Sequence, residues 1–394
     1  MPGTTAAELG RRIETHRLAR RLTRRQVCDA AGVSVSTLRK VEGGERTPSD
    51  AVLDALARAL GVTADALLDG PGRSDSRVHQ AIPEIRRVIA AYDLPDDGPI
   101  RPLPELAVAV TAAVEDRVQS QYARLAEQVP ALLAELFRAV DQMNGRERKQ
   151  AARLLALAVR SADALAYKYG HRDLSARLVE LMRWAADLAG DPALSAAAAY
   201  VRMETHFAAH QLGPGLRALQ AAVDRMPAPV SEPLAAAAAA LHMRAAVAAG
   251  RMRQADVARE HLREAGVLAG QVREGLYDGT AVGPDSLEIH RLSVAVELGD
   301  PSDLHTAVAG AARWAPPRSL PAERRSHYYI DLGRAQRHLG RPRHAAESLL
   351  VARQIAPQHV REHGHVRAEL AAAVRLTRGR DSRVLALARW ARAV

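Results

Sequence analysis

The segment "AAGVSVSTLRKVEGGERTPS", residues 30–49, carries hydroxyl, aliphatic and cationic side chains close together. A serine hydroxyl can hydrogen-bond several bases, a valine can pack on a thymine methyl group, and a lysine can reach guanine O6 and N7. Cationic side chains also pair with phosphate groups. We therefore predict base contacts from Ser34, Val35, Ser36 and Lys40, and phosphate contacts from Arg39 and Arg46.

Each of these side chains also has a purely structural interpretation. Ser34 can serve only as a helix N-cap, and Val35 can pack against the preceding helix. Seven arginines occur in residues 11–25 against the single acid Glu14, and such a run can be a solvated face. Because this arginine run lies just before the segment 30–49, phosphate contact is the favoured interpretation. Because no aromatic residue precedes Tyr92, the segment offers no platform for stacking on single strands.

The elements that position these side chains are five short helices within residues 1–70. The first carries Leu9, Ile13 and Leu18 on its predicted inner side. The signals that bound the later helices are the capping pair Thr23 and Gln26, Gly32, the pair Gly43 and Gly44, Pro48 in a first turn, and a last helix from Thr63 through Leu67 and Leu68.

The stretch "RLTRRQVCDAAGVSVSTLRKVEGGERTPSDAVLDALARALGV" resembles the helix-turn-helix domain of the phage-repressor-like Xre/Cro family. The resemblance implies that the recognition helix, about residues 34–42, lies in the major groove. It implies an internal ion pair between Arg17 and Glu42, and a phosphate contact from Arg24. It also implies that the protein binds an inverted repeat of double-stranded DNA as a homodimer.

The composition predicts an all-α protein. The chain has 394 residues, 3% aromatic residues, a net charge of +10 and one cysteine, Cys28. Alanine, leucine, arginine and glutamate dominate, and these are strong helix formers, whereas sheets are rich in aromatic and β-branched residues. A lone cysteine excludes a disulfide within one chain and is expected to be a small buried residue. No secretory signal is visible and the alanine-rich run 234–250 is too weakly apolar to span a bilayer, so we expect a cytoplasmic protein.

The distribution of helix-breaking residues along the chain predicts three regions. Residues 1–70 form the helix-turn-helix domain, and residues 71–104 form a linker with one short helix. The linker is bounded by the breaker clusters "DGPGRSDS" (69–76) and "PDDGPIRPLP" (95–104) around the amphipathic piece "IPEIRRVIAAYDL". Residues 105–394 read as successive helices with short breaks.

Residues 326–359 form the clearest repeat unit, a helical hairpin of 34 residues. Gly333 and Ala345 allow close helix approach, Gly340 ends the first helix, and Pro357 ends the second. These positions resemble a tetratricopeptide repeat. Weaker copies predict a stack of at least five helical hairpins, an α-solenoid that follows the N-terminal five-helix domain. Tail stretches such as "YGHRDLSARLVELMRWAADLAGDP" also resemble actinobacterial-type regulators that join this module to a tetratricopeptide-like sensor.

Ligands of such solenoids usually meet the inner faces of the first helix of each hairpin. Several side chains predicted there are cationic, so the face could bind an anionic group such as a carboxylate or a phosphate. The alternative is that arginine is abundant and solvated. The candidate effector contacts are Arg160, Lys168, Met203, Phe207, Arg244, Ser286, Ile289, His290, Arg334 and His338.

No metal site, cofactor or catalytic constellation is predicted. His206 and His210 have one-face metal spacing but lack the following glutamate, and His359, His363 and His365 form a loose cluster. Since 13 of the 15 histidines lie in residues 105–394, chance pairs are expected. We therefore predict that the protein is not an enzyme and that neither cluster binds metal.

The sequence thus predicts a transcriptional regulator whose helical repeats sense a peptide or small-molecule effector. The other interpretation is an interaction scaffold, in which the repeats bind a partner protein and DNA binding is secondary. A sharp palindromic binding motif would distinguish the regulator from the diffuse, salt-sensitive binding of a scaffold.

Overall fold

The computed structural model describes residues 6–377 and 381–393, apart from residues 21, 63, 65, 66, 68–72 and 392. The side chains of residues 8, 15, 19, 50 and 73–76 are also outside the description. The chain divides into two compact units, residues 1–76 and residues 77–394. We call them the N-terminal unit and the helical-repeat unit.

The N-terminal unit contains four described helices that enclose a small core. They are α1 (Ala6–Ala19), α2 (Arg24–Ala31), α3 (Val35–Glu42) and α4 (Asp50–Ala59). The predicted capping box is present: the Thr23 hydroxyl accepts from the Gln26 amide, and the Gln26 side chain accepts from the Thr23 amide. Gly32 adopts the left-handed conformation (φ 66°) that ends α2. The buried residues of this core are Leu9, Ile13, Val27, Cys28, Leu38, Val41, Leu53, Leu56, Ala57, Leu60 and Leu67.

Two local predictions in this unit are wrong. Leu18 is 58% exposed, because it lies five residues after Ile13, and the inward position four residues on is occupied by Arg17. Pro48 is not in a first helical turn, since α4 begins at Asp50 with Ser49 as its N-cap. Thr63 and Leu68, which bound the last predicted helix, lie outside the described residues, as does Arg21.

Gly10 lies where α1 crosses the end of α3. A Cβ atom at this position would overlap the backbone carbonyl oxygens of Val41 and Glu42. Backbone atoms have no rotamer to change, so α1 would have to move away from α3. No local pattern in the sequence predicted this close approach.

Substitution Gly10→Ala is therefore expected to destabilise the N-terminal unit by about 1–3 kcal/mol, although alanine is the better helix former. Hydrogen exchange of α1 and α3 amides in the full-length protein measures the change. Gly310→Ala is the control, since a Cβ there meets nothing within 4 Å. Equal exchange in G10A and the wild type would contradict the close contact.

The segment predicted as a linker is largely helix. α5 runs from Arg73 to Ala90, so it begins inside the breaker cluster 69–76 and ends before residue 94. Val78, Ile82, Ile85 and Ile89 recur at helical spacing and are buried in the core of the helical-repeat unit. This apolar face explains why the segment packs as the first helix of that unit.

The helical-repeat unit continues as a series of hairpins, each made of two antiparallel helices. Six pairs follow α5: α6 (Leu103–Val118) with α7 (Tyr122–Gln142), α8 (Gly145–Lys168) with α9 (Arg172–Ala189), α10 (Pro192–Ala208) with α11 (Leu212–Asp224), α12 (Glu232–Arg251) with α13 (Ala255–Ala269), α14 (Pro284–Leu298) with α15 (Pro301–Gly310), and α16 (Ala322–His338) with α17 (Pro342–Ile355). Three further helices follow, α18 (Pro357–Glu362), α19 (Gly364–Leu376) and α20 (Ser382–Trp390). The all-α, tetratricopeptide-like architecture is confirmed.

The α16–α17 hairpin corresponds to the clearest predicted repeat. A Cβ at Gly333 would lie 3.1 Å from the carbonyl oxygen of Ala345, which shows how closely the two helices pack. Gly340 has φ 72° in the turn, as a residue at that position requires. Pro357 begins α18 instead of only ending the preceding helix, which stops at Ile355.

A two-stranded β-hairpin interrupts the helices and was not predicted. β1 (Gly275–Tyr277) pairs antiparallel with β2 (Thr280–Val282), and Tyr277 faces Thr280 across the turn. Asp278 and Gly279 both have positive φ, 46° and 74°. Asp-Gly is a favoured dipeptide for such a two-residue turn, so the sequence did contain the signal.

Helix α12 contains the alanine-rich run that was predicted to be too weakly apolar to span a bilayer; by length and composition alone, the helix is long and apolar enough to do so. In the structure 67% of its apolar stretch is buried within the unit, where ten of its residues from Ala235 to Gly250 are alanines or glycine packed against neighbouring helices. It is therefore the core helix of this unit.

Candidate nucleic-acid interface and effector site

Helix α3 presents one polar and cationic face to solvent. Val35 is 48% exposed, and Ser36, Arg39 and Lys40 are exposed as well. These residues stand at positions i, i+1, i+4 and i+5, which share one side of a helix. Leu38 and Val41 are fully buried on the opposite side. The packing of α3 thus leaves the predicted base-contacting face free in the N-terminal unit.

The start of α3 is fixed by Ser34. Its Oγ accepts a hydrogen bond of 3.1 Å from the Thr37 amide and lies 2.9 Å from the Thr37 hydroxyl. The hydroxyl therefore acts as an N-cap, while the residue stays exposed. Val35 is not among the residues that form or pack against the core of this unit. The base contacts themselves stay a prediction.

A buried carboxylate ties α1, α2 and α3 together. The side chain of Glu42 is 1% exposed, and its Oε1 accepts from Arg17 Nε at 2.7 Å while its Oε2 accepts from Arg24 Nε at 2.6 Å. The ion pair of Arg17 and Glu42 that the family resemblance implies is confirmed. Glu14 extends the network with a 3.4 Å contact to Arg24. Helices α1, α2 and α3 each contribute a charged side chain to this cluster.

Arg24 belongs to that network and still reaches solvent. Its side chain is 43% exposed, and hydrogen bonding to Glu42 raises its pKa. It stands at the first position of α2, where backbone amides lie open toward an anion. Its predicted phosphate contact, like those of the exposed Arg39 and Arg46, stays a prediction.

The interior of the helical-repeat unit contains a second polar cluster, which we call the interior cluster. Its centre is formed by Tyr200 on α10, Arg244 on α12 and Arg324 on α16. The cluster also includes Arg117, Arg160, Lys168 and Glu323. Arg324 donates to the Tyr200 hydroxyl at 2.8 Å, and the Arg244 guanidinium lies 3.9 Å from the ring centroid of Tyr200. Burial favours the neutral phenol, but the guanidinium groups of Arg244 and Arg324 outweigh it and lower the pKa of Tyr200.

Arg117 on α6 and Arg160 on α8 are the most confined cations of the interior cluster; each is 6% exposed. Arg117 donates to the carbonyl oxygen of Gly279 at 2.6 Å, and Arg160 donates to that of Asp278, both at the tip of the β-hairpin. Among the described residues, neither guanidinium has a carboxylate within ion-pair distance. Burial, and then the Arg117 charge, lower the pKa of Arg160 to about 9.

Lys168 at the end of α8 forms the other edge of the interior cluster. Its ammonium group lies 2.8 Å from Glu323 Oε1 and 3.2 Å from His359 Nδ1. Burial acts to lower its pKa, but the Glu323 charge outweighs it and raises the pKa. Arg160, Lys168 and Arg244, three of the predicted effector contacts, therefore meet in one interior.

Other predicted effector residues have different surroundings. Met203 and Ile289 are core residues at 1% exposure, and Phe207 stacks under the guanidinium of Arg251 at 4.0 Å. The Ser286 hydroxyl donates to Glu274 at 2.6 Å. His290 is buried beside the interior cluster with Nδ1 2.8 Å from the Ser286 carbonyl oxygen, and burial lowers its pKa to about 3.

Arg334 and His338 do not face the interior cluster either. Arg334 pairs with Asp331 at 2.8 Å and with Glu297 at 3.1 Å, so it has a structural role between α14 and α16. His338 is exposed at the end of α16. Both lie further along α16 than Arg324, and each helical turn moves the chain about 5.4 Å away.

A separate cleft of about 690 Å³ lies between α9, α10 and α11. Alanine is the commonest of its lining residues, which also include Met203, Arg183, Arg202 and Arg225. It includes none of the interior cations. We base the effector site on the interior cluster, because buried unpaired charge is a stronger ligand signal than an open, alanine-lined cleft.

Sequence reasoning missed Arg117, Tyr200, Glu323 and Arg324 in the interior cluster. Tyr200 and Arg324 lie 124 residues apart in sequence, so no local pattern links them. The one usable signal was the Asp278-Gly279 turn, whose backbone carbonyl groups reach the two buried arginines.

A comparison with protein families matches residues 8–69 to a helix-turn-helix domain. The chain thus carries a helix-turn-helix domain at its N-terminus. The comparison with curated proteins gives no match. Among solved structures, Bacillus thuringiensis PlcR in complex with a peptide and DNA is 15% identical, with coverage of 66% of this chain and 94% of that one and a TM-score of 0.30.

A second similar structure is the apo form of the competence regulator ComR from Streptococcus vestibularis. It is 14% identical, with coverage of 94% of this chain and 99% of that one and a TM-score of 0.28. At these TM-scores the likeness says nothing of what this chain binds.

Proposed function

We propose that the protein is a cytoplasmic, sequence-specific DNA-binding transcriptional regulator with an Xre/Cro-type domain. The observation that carries this proposal is the matched helix-turn-helix domain whose third helix leaves Val35, Ser36, Arg39 and Lys40 exposed on one face. Such a helix can enter the major groove and read base edges. The proposal includes no enzymatic activity.

The protein is proposed to act as a homodimer on an inverted repeat. One domain of this size contacts few base pairs, and its predicted base contacts come from only four residues, Ser34, Val35, Ser36 and Lys40. The spacing of two half-sites and the shape of the DNA would then supply much of the specificity. If a site with one ruined half binds as well as the intact site, the dimer is excluded.

The effector is proposed to be a peptide or small molecule with a carboxylate or phosphate group. Arg117 and Arg160 support this, because the hydrogen-bond acceptors of these two buried guanidinium groups are neutral carbonyl oxygens. A bound anion would stabilise the buried positive charges more strongly than a neutral carbonyl oxygen does. A bound anion would replace the β-hairpin tip as their partner. That replacement gives the ligand a conformational element to act on.

A genome-wide footprint of the full-length protein tests the regulator. A sharp inverted repeat upstream of transcription units is the expected result. Diffuse binding that disappears with added salt would favour the alternative, a scaffold whose helical repeats bind a partner protein.

Replacing Lys40 by alanine is expected to relax base choice at one position of each half-site. The loss at the preferred site should be about 1–3 kcal/mol, with a much smaller loss at sites that differ at that base pair. Arg46→Ala is the matched control: it removes an exposed cation from the following turn and should weaken all sites alike. Binding to a library of operator variants measures both. A uniform loss in K40A would show that Lys40 contacts only the backbone.

A further inference from the structure

Three histidines that are distant or separate in the chain converge in the helical-repeat unit. His327 lies on α16, His359 lies on α18, and His363 lies between α18 and α19. One ring nitrogen of each can be chosen so that all three lie within 4.8 Å of one another. The ring centroids of His359 and His363 are 5.3 Å apart, and His327 lies 5.5 Å from His363.

Two of the ring nitrogens are buried without a partner. His359 is 3% exposed, and its Nε2 has no hydrogen-bond partner among the described residues; His363 Nδ1 is in the same condition. A buried polar atom left unpaired costs about 1–3 kcal/mol, and such atoms call for an explanation such as an absent ion. Both atoms belong to one cluster of imidazoles, so one ligand can account for both.

We propose that His327, His359 and His363 form a binding site for a divalent transition-metal ion of the zinc class. Imidazole nitrogen is a ligand that zinc, nickel, copper and iron accept, whereas magnesium and calcium select oxygen. Three protein imidazoles leave the fourth position of a tetrahedral ion open for water or an anionic ligand atom. This inference does not rest on the proposed regulatory function, and it replaces the sequence-based prediction that the group with His359 and His363 binds no metal.

The surroundings can orient the ligands. His359 Nδ1 lies 3.3 Å from the Tyr122 hydroxyl, and His327 Nε2 lies 3.4 Å from Asp331 Oδ2. A proton on His359 Nδ1, donated to the Tyr122 oxygen, requires the Lys168 ammonium group to turn its donors toward Glu323 and away from Nδ1. In that tautomer Nε2 carries the free lone pair that a metal needs. Metal-bound histidines commonly use their second nitrogen in this way.

Charge near the cluster is balanced. The Lys168 ammonium group stands 3.2 Å from His359 Nδ1 and would repel a cation. It is already paired with Glu323 at 2.8 Å, and the Asp331 carboxylate faces the cluster from the same helix as His327. Asp331 is in turn paired with Arg334 at 2.8 Å, so the charged groups around the cluster form two ion pairs with no net charge.

The geometry asks for a small contraction. Ligand nitrogens about 2.1 Å from a tetrahedral ion lie about 3.4 Å from one another. In the structure the three ring nitrogens lie within 4.8 Å of one another, so they would have to move closer. Side-chain rotation of the three histidines can supply the difference, because imidazole χ2 is broadly variable. A bound ion would link α16 to α18 and to the start of α19.

The test uses untagged full-length protein stripped with a chelator and titrated with Zn²⁺ and with Co²⁺. One ion per chain, with a micromolar or tighter dissociation constant, is expected. Bound Co²⁺ should give the visible absorption of a four- or five-coordinate site. His359→Gln and His363→Gln should each weaken Zn²⁺ binding at least tenfold, whereas His344→Gln, an exposed histidine on α17, should leave it unchanged.

Circular dichroism shows whether each variant keeps its helices. If a variant unfolds, X-ray absorption of the wild-type Zn²⁺ complex decides, since it counts the bound imidazoles directly. The site would be overturned by fewer than three bound imidazoles or by the absence of stoichiometric binding. It would also be overturned if folded H359Q and H363Q bound Zn²⁺ as tightly as the wild type does.

Discussion

Replacing Glu42 by glutamine is expected to destabilise the N-terminal unit by about 3 kcal/mol. This is the lower end of the loss seen when one partner of a buried ion pair is removed. Glutamine keeps an oxygen acceptor, but it cannot neutralise Arg17, whose side chain is 8% exposed. Arg24 is 43% exposed and can turn to solvent, so most of the loss arises at Arg17.

The same substitution should weaken DNA binding at every site. Glu42 ends α3 and holds α1 and α2 against it, so its loss loosens the orientation of the recognition helix. A loosened helix has to be ordered again on binding, which reduces the affinity without altering base preference.

The measurement can separate the two units within the intact chain. All three tryptophans, at positions 184, 314 and 390, belong to the helical-repeat unit. Tryptophan fluorescence should therefore show an unchanged urea transition in E42Q, whereas amide exchange in α2 and α3 should become faster. Because the chain has two units, a single global unfolding free energy would not be well defined.

Glu45→Gln is the matched control. It removes the same charge from an exposed glutamate three residues further on, so any general electrostatic effect on DNA binding is shared. If E42Q and E45Q exchange α2 and α3 amides at equal rates, the buried network contributes no net stability.

The helix-turn-helix module could be predicted well because its signals are local. Thr23 with Gln26, and Gly32, act within one turn of chain, and the structure has each of them in the predicted role. The inward placement of Leu18 is wrong for an equally local reason: the helical spacing from Ile13 places position 17 inward, and Arg17 is buried there. A buried partner, Glu42, makes that arginine acceptable.

The interior cluster could be predicted only in part, because it depends on which helices meet across the unit. Arg160 and Lys168 followed from placing repeats in register. Arg324 and Glu323 did not, since their partners lie more than 100 residues away in sequence. The histidine cluster shows the same limit: His359 and His363 were grouped by spacing with His365, whereas the structure adds His327.

Replacing Arg160 by methionine is expected to raise the stability of the helical-repeat unit and to abolish most of its response to anions. Methionine has a similar length and no charge, and replacing buried charge with a well-packed apolar side chain often stabilises by about 1–4 kcal/mol. Here the Asp278 carbonyl oxygen loses its donor, which costs about 1–3 kcal/mol. The net gain should therefore be small, about 1 kcal/mol.

The loss of anion binding should be larger than that gain. A hydrogen bond to a charged group contributes about 1.5–3 kcal/mol, so removal of Arg160 should weaken binding about 10- to 100-fold. Inorganic phosphate is a suitable probe, with unfolding followed by tryptophan fluorescence. Phosphate also stabilises proteins by exclusion from their surface, and the difference between wild type and R160M removes that general effect.

Arg146→Met is the control, since Arg146 is exposed in the first turn of the same helix. Its phosphate response should equal that of the wild type. A phosphate response in R160M equal to the wild type would show that the buried arginines do not form the anion site. A large drop in stability would show that Arg160 mainly anchors the β-hairpin tip. An increase in stability together with loss of the response would mean that the apo protein keeps a buried charge at a cost because a ligand needs it.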